Sequence, residues 1–247
     1  MRGPAVLPTA CPTPAGKEPG VSDFYASYNR FKQYATPSLS AKVMRRLDRE
    51  IWIPAACENG HRFLELGCGT GQFMAYLVAK GVRDLVGADH DPELAQVIPD
   101  AAKPFFHQGD IRDILADGKL GKFDRVLLLD VLEHFTAHDG RELLEAIRRH
   151  MTPGAKLVVK VPNAASPWGI QYQHGDLTHQ TAFTPLSLRQ MAEASGFRLE
   201  RFYAPLGGSP RRRCTEALLN RFLAWALTSP PDLLSANMYG ILTPREK

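Results

Sequence analysis

Between residues 62 and 161 the chain alternates short apolar runs with segments of helical periodicity, and this alternation limits the fold more than any other feature. Near-continuous apolar runs are typical of strands that are buried on both faces. Strands that alternate with helices form parallel sheets through βαβ crossovers. The sequence therefore predicts an α/β fold with a seven-stranded, mostly parallel sheet and helices on both faces. The predicted strands are residues 62–66, 84–89, 105–107, 125–129, 156–161, 197–204 and 237–242.

The rest of the chain divides into a tail, an N-terminal cap and one insertion. Residues 1–20 contain five prolines and are predicted to form a flexible tail. Residues 21–57 show helical periodicity, and we expect this helical cap to pack over a main domain of residues 58–247. A helical insertion at residues 211–232 precedes the last predicted strand. The apolar residues of the cap that share one face are Val43, Met44, Leu47, Ile51 and Trp52.

The composition bounds the location and the partners of the chain. Its four cysteines form no CxxC pair, so neither a structural zinc site nor a disulfide framework is expected, and a reduced, cytoplasmic location follows. No apolar run reaches the roughly 18 to 20 residues of a membrane-spanning helix. The net charge of +4 without a dense basic stripe argues against a nucleic-acid partner. Nothing in the sequence indicates the oligomeric state.

The most specific local pattern is the glycine loop after the first predicted strand. Residues 63–71 read Phe-Leu-Glu-Leu-Gly-Cys-Gly-Thr-Gly and lead into a helical segment. Glycine suits such a loop because the tight turn needs unusual dihedral angles and a ligand must approach the backbone closely. The GxGxG spacing differs from the GxGxxG of dinucleotide sites, yet a structural turn or a dinucleotide site remains open from the loop alone.

Two acidic residues follow at positions that suit a nucleoside. Asp89 ends the second predicted strand, 22 positions after Gly67, where a carboxylate can accept hydrogen bonds from ribose hydroxyls. Asp110 follows the third predicted strand, where it can accept a hydrogen bond from an exocyclic amine such as that of adenine. A plain surface turn explains Asp110 equally well.

Taken together, residues 60–205 resemble the class I S-adenosylmethionine (SAM) dependent methyltransferases, which implies a Rossmann-like fold and SAM as the cofactor. One departure is Ala155, which stands where the family usually has the second glycine of the turn before strand five. The segments that carry the resemblance are Leu64–Gly71, Gly87–Asp89 with Asp91–Pro92, Gly109–Ile111, Phe123–His134 and Met151–Ala155.

The resemblance also implies the roles of individual residues. Glu65 and the backbone of the glycine loop would hold the methionyl end of SAM, and Asp89 would hold the ribose. Asp110 would hold the adenine amine with Ile111 against the ring. The implied cofactor-binding residues are Glu65, Gly67, Cys68, Gly69, Gly71, Asp89, His90, Asp110, Ile111, Leu129 and Asp130, the last two on the wall near the sulfonium.

The acceptor side is predicted just past the fourth strand, at the edge of the sheet where ligands bind in doubly wound folds. Asp130, Glu133 and His134 are spaced to share one helical face there. One interpretation is general-base catalysis, in which His134 or His179 removes a proton from an alcohol. The equally open structural alternative is that Glu133 and His134 only hold the wall of the site by hydrogen bonds.

A divalent metal is a further alternative, held by Asp130, Glu133, His134 and His179, or with His174 in place of His179. This set resembles the metal site of small-RNA 2′-O-methyltransferases and of ubiquinone-pathway catechol O-methyltransferases. Such a metal would lower the pKa of a hydroxyl. Asp130 departs from those families, which have a glutamate at its position, and its reach is shorter.

The segment of residues 175–197 resembles bacterial methyltransferases of glycan and lipid-linked sugar pathways. Trp168 and Tyr172 could stack on an acceptor ring, with His174 beside them, although plain packing is an alternative for each aromatic residue. We therefore expect O-methylation of a sugar or glycan hydroxyl. The alternatives are a catechol-like small metabolite, an RNA ribose, a SAM-binding protein without turnover and, more remotely, a nicotinamide oxidoreductase.

The insertion begins with three arginines at residues 211–213 and continues with an apolar helical pattern. A basic start with an apolar face can lie on a membrane surface, which would make the protein peripheral to a membrane. A lid over the acceptor pocket and a helix packed on its own domain are the other two interpretations. The apolar pattern consists of Leu218, Leu219, Phe222, Leu223, Trp225, Ala226 and Leu227.

Overall fold

The computed structural model describes residues 34–245, and the predicted tail and the first part of the predicted cap lie outside them. One seven-stranded sheet with the strand order β3-β2-β1-β4-β5-β7-β6 forms the centre of the molecule. The predicted α/β fold with a Rossmann-like sheet is confirmed. The strands are β1 (Phe63–Leu66), β2 (Leu85–Asp89), β3 (Phe106–Gln108), β4 (Phe123–Leu129), β5 (Met151–Pro162), β6 (Phe197–Tyr203) and β7 (Asn237–Pro244).

Strand order and direction bring several strand ends to one edge of the sheet, here called the carboxyl edge. The first five strands are parallel, so β1, β2, β4 and β5 all end there. β7 is antiparallel to β5 and begins opposite its end, where Asn237 pairs with Pro162. β6 is antiparallel to β7 and ends opposite its start, where Tyr203 pairs with Tyr239. The segment that joins β6 to β7 therefore also lies at the carboxyl edge.

Helices cover the sheet and connect its strands. The predicted helical N-terminal region and the predicted helix before the last strand are both present. Thr136 and Thr184 begin two of the helices as N-caps, each accepting a hydrogen bond from a backbone amide three residues on. The α-helices are α1 (Ala41–Leu47), α2 (Gln72–Ala79), α3 (Leu94–Val97), α4 (Ile111–Ala116), α5 (Ala137–Arg149), α6 (Pro167–His174), α7 (Pro185–Ala194) and α8 (Pro210–Ala226).

Two local predictions differ from the structure. Pro153 and Gly154 predict a turn, but they lie inside β5, which begins at Met151 because this residue pairs with Phe123 across the sheet. The polar and aromatic composition of residues 168–184 predicts a loop, but the segment begins inside α6, whose first turn is capped by the Ser166 side chain. In the first case a partner on another strand decides the conformation, and in the second a local N-cap does.

Alternate residues of the central strands point into two apolar cores, one on each face of the sheet. Leu64 and Leu128 point into the core that packs against α5 and α7. Phe63 and Leu127 point into the opposite core, which α1 and α2 cover. This alternation follows from the two-residue repeat of a strand, and both faces are apolar because both are buried. None of the helices within residues 34–245 is long and apolar enough to cross a bilayer.

A buried arginine ties the N-terminal region to the sheet. Arg125 on β4 is only 7% exposed, and its guanidinium donates to the carbonyl oxygens of Ala55 at 2.8 Å and Ala56 at 2.6 Å. Trp52 stacks on Phe63 of β1 with ring centroids 6.2 Å apart. These contacts fix the segment that follows α1 against the start of β1.

Replacing Arg125 with methionine tests this anchor. The variant keeps much of the side-chain volume but removes the donor from the carbonyl oxygens of Ala55, Ala56 and Asp124, so we expect the free energy of unfolding to fall by about 2–3 kcal/mol. Urea unfolding followed by circular dichroism measures the change. Arg83→Met is the matched control at an exposed arginine, with an expected change below about 0.5 kcal/mol. Equal losses in the two variants would contradict the anchor.

Candidate cofactor and acceptor site

The glycine loop joins β1 to α2 at the carboxyl edge, next to the end of β2. Gly67, Gly69 and Gly71 have φ angles of +72°, +52° and +74°. Other residues adopt this left-handed region at a cost of about 1–2 kcal/mol each. The Gly67 amide donates to the carbonyl of Ala88 at 2.8 Å, which holds the loop against β2. The loop therefore has a fixed shape that follows from its glycines.

The three glycines differ in what surrounds them. A Cβ atom on Gly67 would lie 2.3 Å from Cγ2 of Val131, and one on Gly71 would lie 3.2 Å from Cγ2 of Ile98. A Cβ atom on Gly69 would meet no atom of the described residues within 4 Å. Gly67 and Gly71 are thus required by packing. Gly69 instead borders open space, as a loop that receives a ligand against its backbone must.

Asp89 lies beside that space at the end of β2. Its Oδ2 accepts from the Gly69 amide at 2.9 Å, and its Oδ1 accepts from the Asp91 amide at 3.2 Å. The Nδ1 atom of His90 lies 3.4 Å from the same Oδ1, with the imidazole largely exposed. A carboxylate fixed in this way next to the glycine loop can accept hydrogen bonds from the hydroxyls of a ribose.

Glu65, on β1, is buried beneath the loop. Burial and the neighbouring charge of Asp89 raise the pKa of the Glu65 carboxyl well above its usual range. Its Oε2 has no hydrogen-bond partner among residues 34–245. A buried carboxyl in this state gains most from a cationic or hydrogen-bond-donating ligand group. The ammonium group at the methionyl end of SAM has this chemistry, so the residues present fit the cofactor.

Cys68 contributes its backbone to the loop rather than a reactive thiol. The residue is buried, and burial together with the charges of Glu65 and Asp89 raises the pKa of the thiol far above its ordinary value. The thiolate is the nucleophilic form of cysteine. Cys68 therefore stays neutral, and the structure gives it a packing role.

Asp110 has a structural role that explains its position after β3. Its carboxylate caps α4 by accepting from the Arg112 amide at 2.7 Å, and the residue is exposed. Ile111, the first residue of α4, is half-buried against the core. Hydrogen bonding of Asp110 to an adenine amine stays a prediction, because the capping bond uses only one of its two oxygens.

The predicted helical face of Asp130, Glu133 and His134 is wrong. Asp130 follows Leu129 at the end of β4 with a φ of +58°, a conformation that aspartate tolerates better than most residues. Its carboxylate pairs with the Lys160 ammonium at 2.5 Å. Leu132–His134 then forms a single 3₁₀ turn rather than an α-helix. The side chain of Asp130 is therefore committed to β5 and lies apart from the other two.

His134 and His179 meet beyond the ends of β4 and β5. Their ring centroids are 4.6 Å apart in an edge-to-face arrangement. Glu133 is fully buried, and His179 Nε2 lies 4.0 Å from its Oε1 and 4.0 Å from Oδ2 of Asp176. Val131, which contacts Gly67, stands three residues before His134, so this group adjoins the glycine loop. We call the two histidines with Glu133 and Asp176 the histidine cluster.

Hydrogen bonds to the Nδ1 atoms fix which nitrogen of each imidazole is basic. The Thr178 hydroxyl donates to Oδ1 of Asp176 at 2.5 Å, so it accepts from His134 Nδ1 at 2.9 Å. His179 Nδ1 lies 3.0 Å from the carbonyl oxygen of Gln173 and must donate to it. In the neutral rings both Nε2 atoms therefore carry the lone pair, which leaves them able to accept a proton or to bind a metal.

The group able to hold a metal is smaller than the predicted set. Among the described residues, Glu133, His134 and His179 each offer one ligand atom, and these three atoms lie within 4.8 Å of one another. Asp130 is paired with Lys160 and does not belong to this group, and neither does His174, which is exposed on α6. The prediction that includes either residue is corrected accordingly.

The predicted acceptor-stacking residues lie on α6, at the carboxyl edge. Trp168 and Tyr172 are 44% and 50% exposed, so neither is used to fill the core. Sequence reasoning missed Gln173, Asp176 and Thr178, which orient the histidines. No spacing signal identifies them, because only the return of the chain from β5 to α7 brings them beside the 3₁₀ turn. Tyr34 was also missed, and burial together with the Asp91 carboxylate next to the cofactor loop raises the pKa of its hydroxyl.

Comparisons with known proteins agree on one family. A family model described as a methyltransferase domain matches residues 30–201. A magnesium-protoporphyrin O-methyltransferase of Rhodobacter capsulatus is 37% identical over 98 residues, which is 37% of this chain and 42% of that protein. The aligned part thus spans less than half the length of the curated relatives that it matches.

Solved structures share the fold at low sequence identity. A SAM-dependent methyltransferase of Archaeoglobus fulgidus superposes with a TM-score of 0.64 and 20% identity, covering 90% of this chain and all of that one (100%). The magnesium protoporphyrin IX methyltransferase of Synechocystis PCC 6803, solved with bound SAH, gives a TM-score of 0.57 and 16% identity, covering 89% and 95%. These likenesses concern the fold.

Replacing Gly69 with alanine tests whether the open space of the loop holds the cofactor. The added methyl group meets no protein atom of the described chain but intrudes where a ligand would contact the backbone. We expect the affinity for S-adenosylhomocysteine, measured by calorimetric titration, to fall by at least about tenfold, or roughly 1.4 kcal/mol. Gly154→Ala is the matched control, since Gly154 has a φ of +76° and open surroundings but lies in β5, away from the loop. Equal affinity of the two variants would place the ligand elsewhere.

Proposed function

This chain belongs to the methyltransferase domain family, and from that membership we propose that it transfers the methyl group of SAM to a hydroxyl of a sugar or glycan. SAM supplies an electrophilic methyl group on a sulfonium, which an oxygen nucleophile displaces in line. The residues of the chain then have three tasks. They hold the cofactor, orient the acceptor and accept the proton of its hydroxyl.

The cofactor residues follow from the chemistry of each group. Glu65 would receive the ammonium of the methionyl end, and a cation at that place would oppose the burial that raises the pKa of its carboxyl. Asp89 would receive the ribose hydroxyls beside the Gly69 amide. The backbone at Gly69 would lie against the ligand. Together these groups would orient the methyl group toward the acceptor side.

The single observation that carries the acceptor chemistry is the orientation of His134 and His179. Each imidazole uses its Nδ1 to bind the protein, which leaves each Nε2 as the basic nitrogen. An alcohol needs such a base because its own pKa is far above neutrality. Asp176 and Glu133, next to His179, would stabilise the imidazolium that forms when the proton is transferred.

Two features favour a sugar over other alcohols. Trp168 and Tyr172 present exposed rings at the same edge of the sheet, and flat aromatic faces suit the apolar faces of sugar rings. The segment from residue 175 to residue 197, which resembles methyltransferases of glycan pathways, also contains Asp176, Thr178 and His179 of the acceptor wall. The acceptor wall and the resemblance to glycan-pathway methyltransferases thus involve the same segment.

A metal-assisted reaction is the second candidate, and the convergence of Glu133, His134 and His179 favours it. One carboxylate and two imidazoles form a donor set that suits a divalent transition metal such as zinc. A metal held there would lower the pKa of the acceptor hydroxyl, and the histidines would then act as ligands instead of bases. With only three protein ligands, such a site would keep open positions for an acceptor.

The first test is transfer of radiolabelled methyl from SAM into a cell extract that is separated into glycan, lipid-linked glycan, RNA, protein and small-molecule pools. We expect label in the glycan or lipid-linked glycan pool. Label only in RNA, protein or small molecules would contradict the acceptor and leave the methyl transfer intact. Binding of SAM without label in any pool would favour a SAM-binding protein without turnover.

Once the labelling experiment has identified the acceptor, substitution of His179 tests whether this residue is the general base. We expect His179→Ala to lower kcat by about 100-fold or more, with unchanged affinity for S-adenosylhomocysteine, because a general base contributes this much. His138→Ala, on the exposed face of α5, is the matched control and should retain full activity. A general base acts without a metal, so exhaustive chelation should leave the wild-type rate unchanged. Loss of activity on chelation, restored by a divalent metal, would contradict the general base and support the metal-assisted reaction.

A further inference from the structure

Helix α8 is much less buried than α5, the other long helix within residues 34–245. None of its 17 residues is buried by the described part of the chain. Large apolar side chains are instead exposed on it, including Trp225 at 81%, Leu218 at 64% and Phe222 at 57%. A helix that only packs on its own domain would hide such residues, and exposed apolar patches mark interaction sites.

The apolar residues of α8 share the side that points away from the protein. At 100° per residue, Leu218, Leu219, Phe222 and Trp225 fall within an arc of about 120°. The residues of α8 that are partly covered by the domain are Arg213, Asn220 and Leu223, and they fall on the opposite side. Arg212 and Arg221 stand at the two borders of the apolar arc. We call this arc the outer face of α8.

A basic groove lies at the start of α8. It runs between α1 and the loop at Gly207–Gly208, and cationic side chains from two distant parts of the chain border it. The acidic residue beside these cations is Glu50, in the turn of residues 48–52 after α1, with its Oε2 at 3.9 Å from Arg46 Nε, and it is buried and already bonded to the protein. The cations are Lys42, Arg45, Arg46, Arg49, Arg212 and Arg213.

Hydrogen bonds of Glu50 connect the two sides of the groove. Its Oε1 accepts from the Leu206 amide at 2.7 Å, just before the glycine pair, and its Oε2 accepts from the Tyr239 hydroxyl at 3.2 Å. The Tyr203 hydroxyl donates to the Glu50 carbonyl at 2.6 Å. These bonds fix the turn after α1 to the ends of β6 and β7. These bonds therefore keep the basic residues of α1 close to those at the start of α8.

The outer face and the α8 side of the groove belong to the segment that leaves the sheet at the edge where the site lies. The segment that contains α8 joins β6 to β7 at the carboxyl edge. After α8 the chain returns to the site region, where the Asn163 side chain donates to the carbonyls of Leu233 and Ser235. Asn163 directly follows β5 and precedes α6, which carries Trp168 and Tyr172.

We propose that the outer face of α8 and the basic groove together dock this protein onto the headgroup layer of an anionic membrane. The apolar residues enter the boundary between headgroups and acyl chains, as in amphipathic helices that lie in the interface. The arginines at the borders of the arc reach up to the phosphates while their stems stay on apolar surface. The groove adds attraction to anionic lipids. A membrane surface offers both the apolar boundary that suits the outer face and the anionic charge that suits the groove, whereas an RNA would contact the groove alone.

Vesicle sedimentation with the full chain tests the proposal. We expect binding to vesicles of phosphatidylcholine with about one third phosphatidylglycerol, weakening with salt, and little binding to pure phosphatidylcholine. The outer-face variant Leu218→Ser, Phe222→Ser, Trp225→Ser should lose binding. The groove variant Lys42→Gln, Arg45→Gln, Arg212→Gln should bind about 100-fold more weakly, at roughly fivefold per charge. Because all the substituted side chains are exposed, both variants should melt at the temperature of the wild type.

The charge control neutralises three exposed arginines elsewhere, Arg83→Gln, Arg189→Gln and Arg198→Gln, and should bind like the wild type. Several outcomes overturn the proposal. One is absence of wild-type binding to the anionic vesicles. Another is binding that depends on the groove but not on the outer face, which would point to a polyanion such as RNA. A third is a dimer in analytical ultracentrifugation that the outer-face variant dissolves, since the face would then be covered by a second copy. Failure of these tests leaves the methyl transfer reaction untouched.

Discussion

The contact between Gly67 and Val131 joins the two halves of the site. Gly67 follows β1, and Val131 follows β4, the neighbouring strand at the point where the strand order of the sheet reverses. No side chain fits at Gly67, because a Cβ atom would lie 2.3 Å from Val131. The cofactor loop can therefore lie directly against the segment that carries Glu133 and His134. A methyl group held by the loop would therefore lie beside the segment that leads to the histidines.

The sequence predicts what local patterns determine. The strands and the glycine loop were predicted because burial on both faces makes strands continuously apolar and because only glycine fits the left-handed turn. The conformation at Asp130 was not predictable, since it depends on pairing with Lys160 from another strand. The same holds for Thr178, which reaches His134 only through the folded return of the chain. The mild net charge likewise gave no sign of the basic groove, which two distant segments assemble.

Two interpretations of the acceptor wall that the sequence leaves as alternatives are compatible in the structure. Hydrogen bonds that only hold the wall and a base that acts on the acceptor need different nitrogens of the same ring. His134 and His179 hold the wall through Nδ1, so a base would act through Nε2. The holding bonds would favour such a base, because they fix the tautomer and the direction of the lone pair. Under the proposed function, Thr178 and Gln173 are therefore positioning residues.

If the protein docks on a membrane and its acceptor is a sugar, the two proposals together limit which substrate it can use. With α8 against a bilayer, the carboxyl edge of the sheet, from which the segment with α8 extends and which holds the glycine loop and the histidine cluster, would lie near the headgroup layer. An acceptor attached to a lipid would then meet the site by diffusion in two dimensions, and its anchor would supply binding energy that the open acceptor wall does not. A free sugar would gain nothing from the same arrangement. If both proposals hold, the acceptor is a lipid-linked glycan, and a water-soluble analogue of it should show a raised KM with a similar kcat.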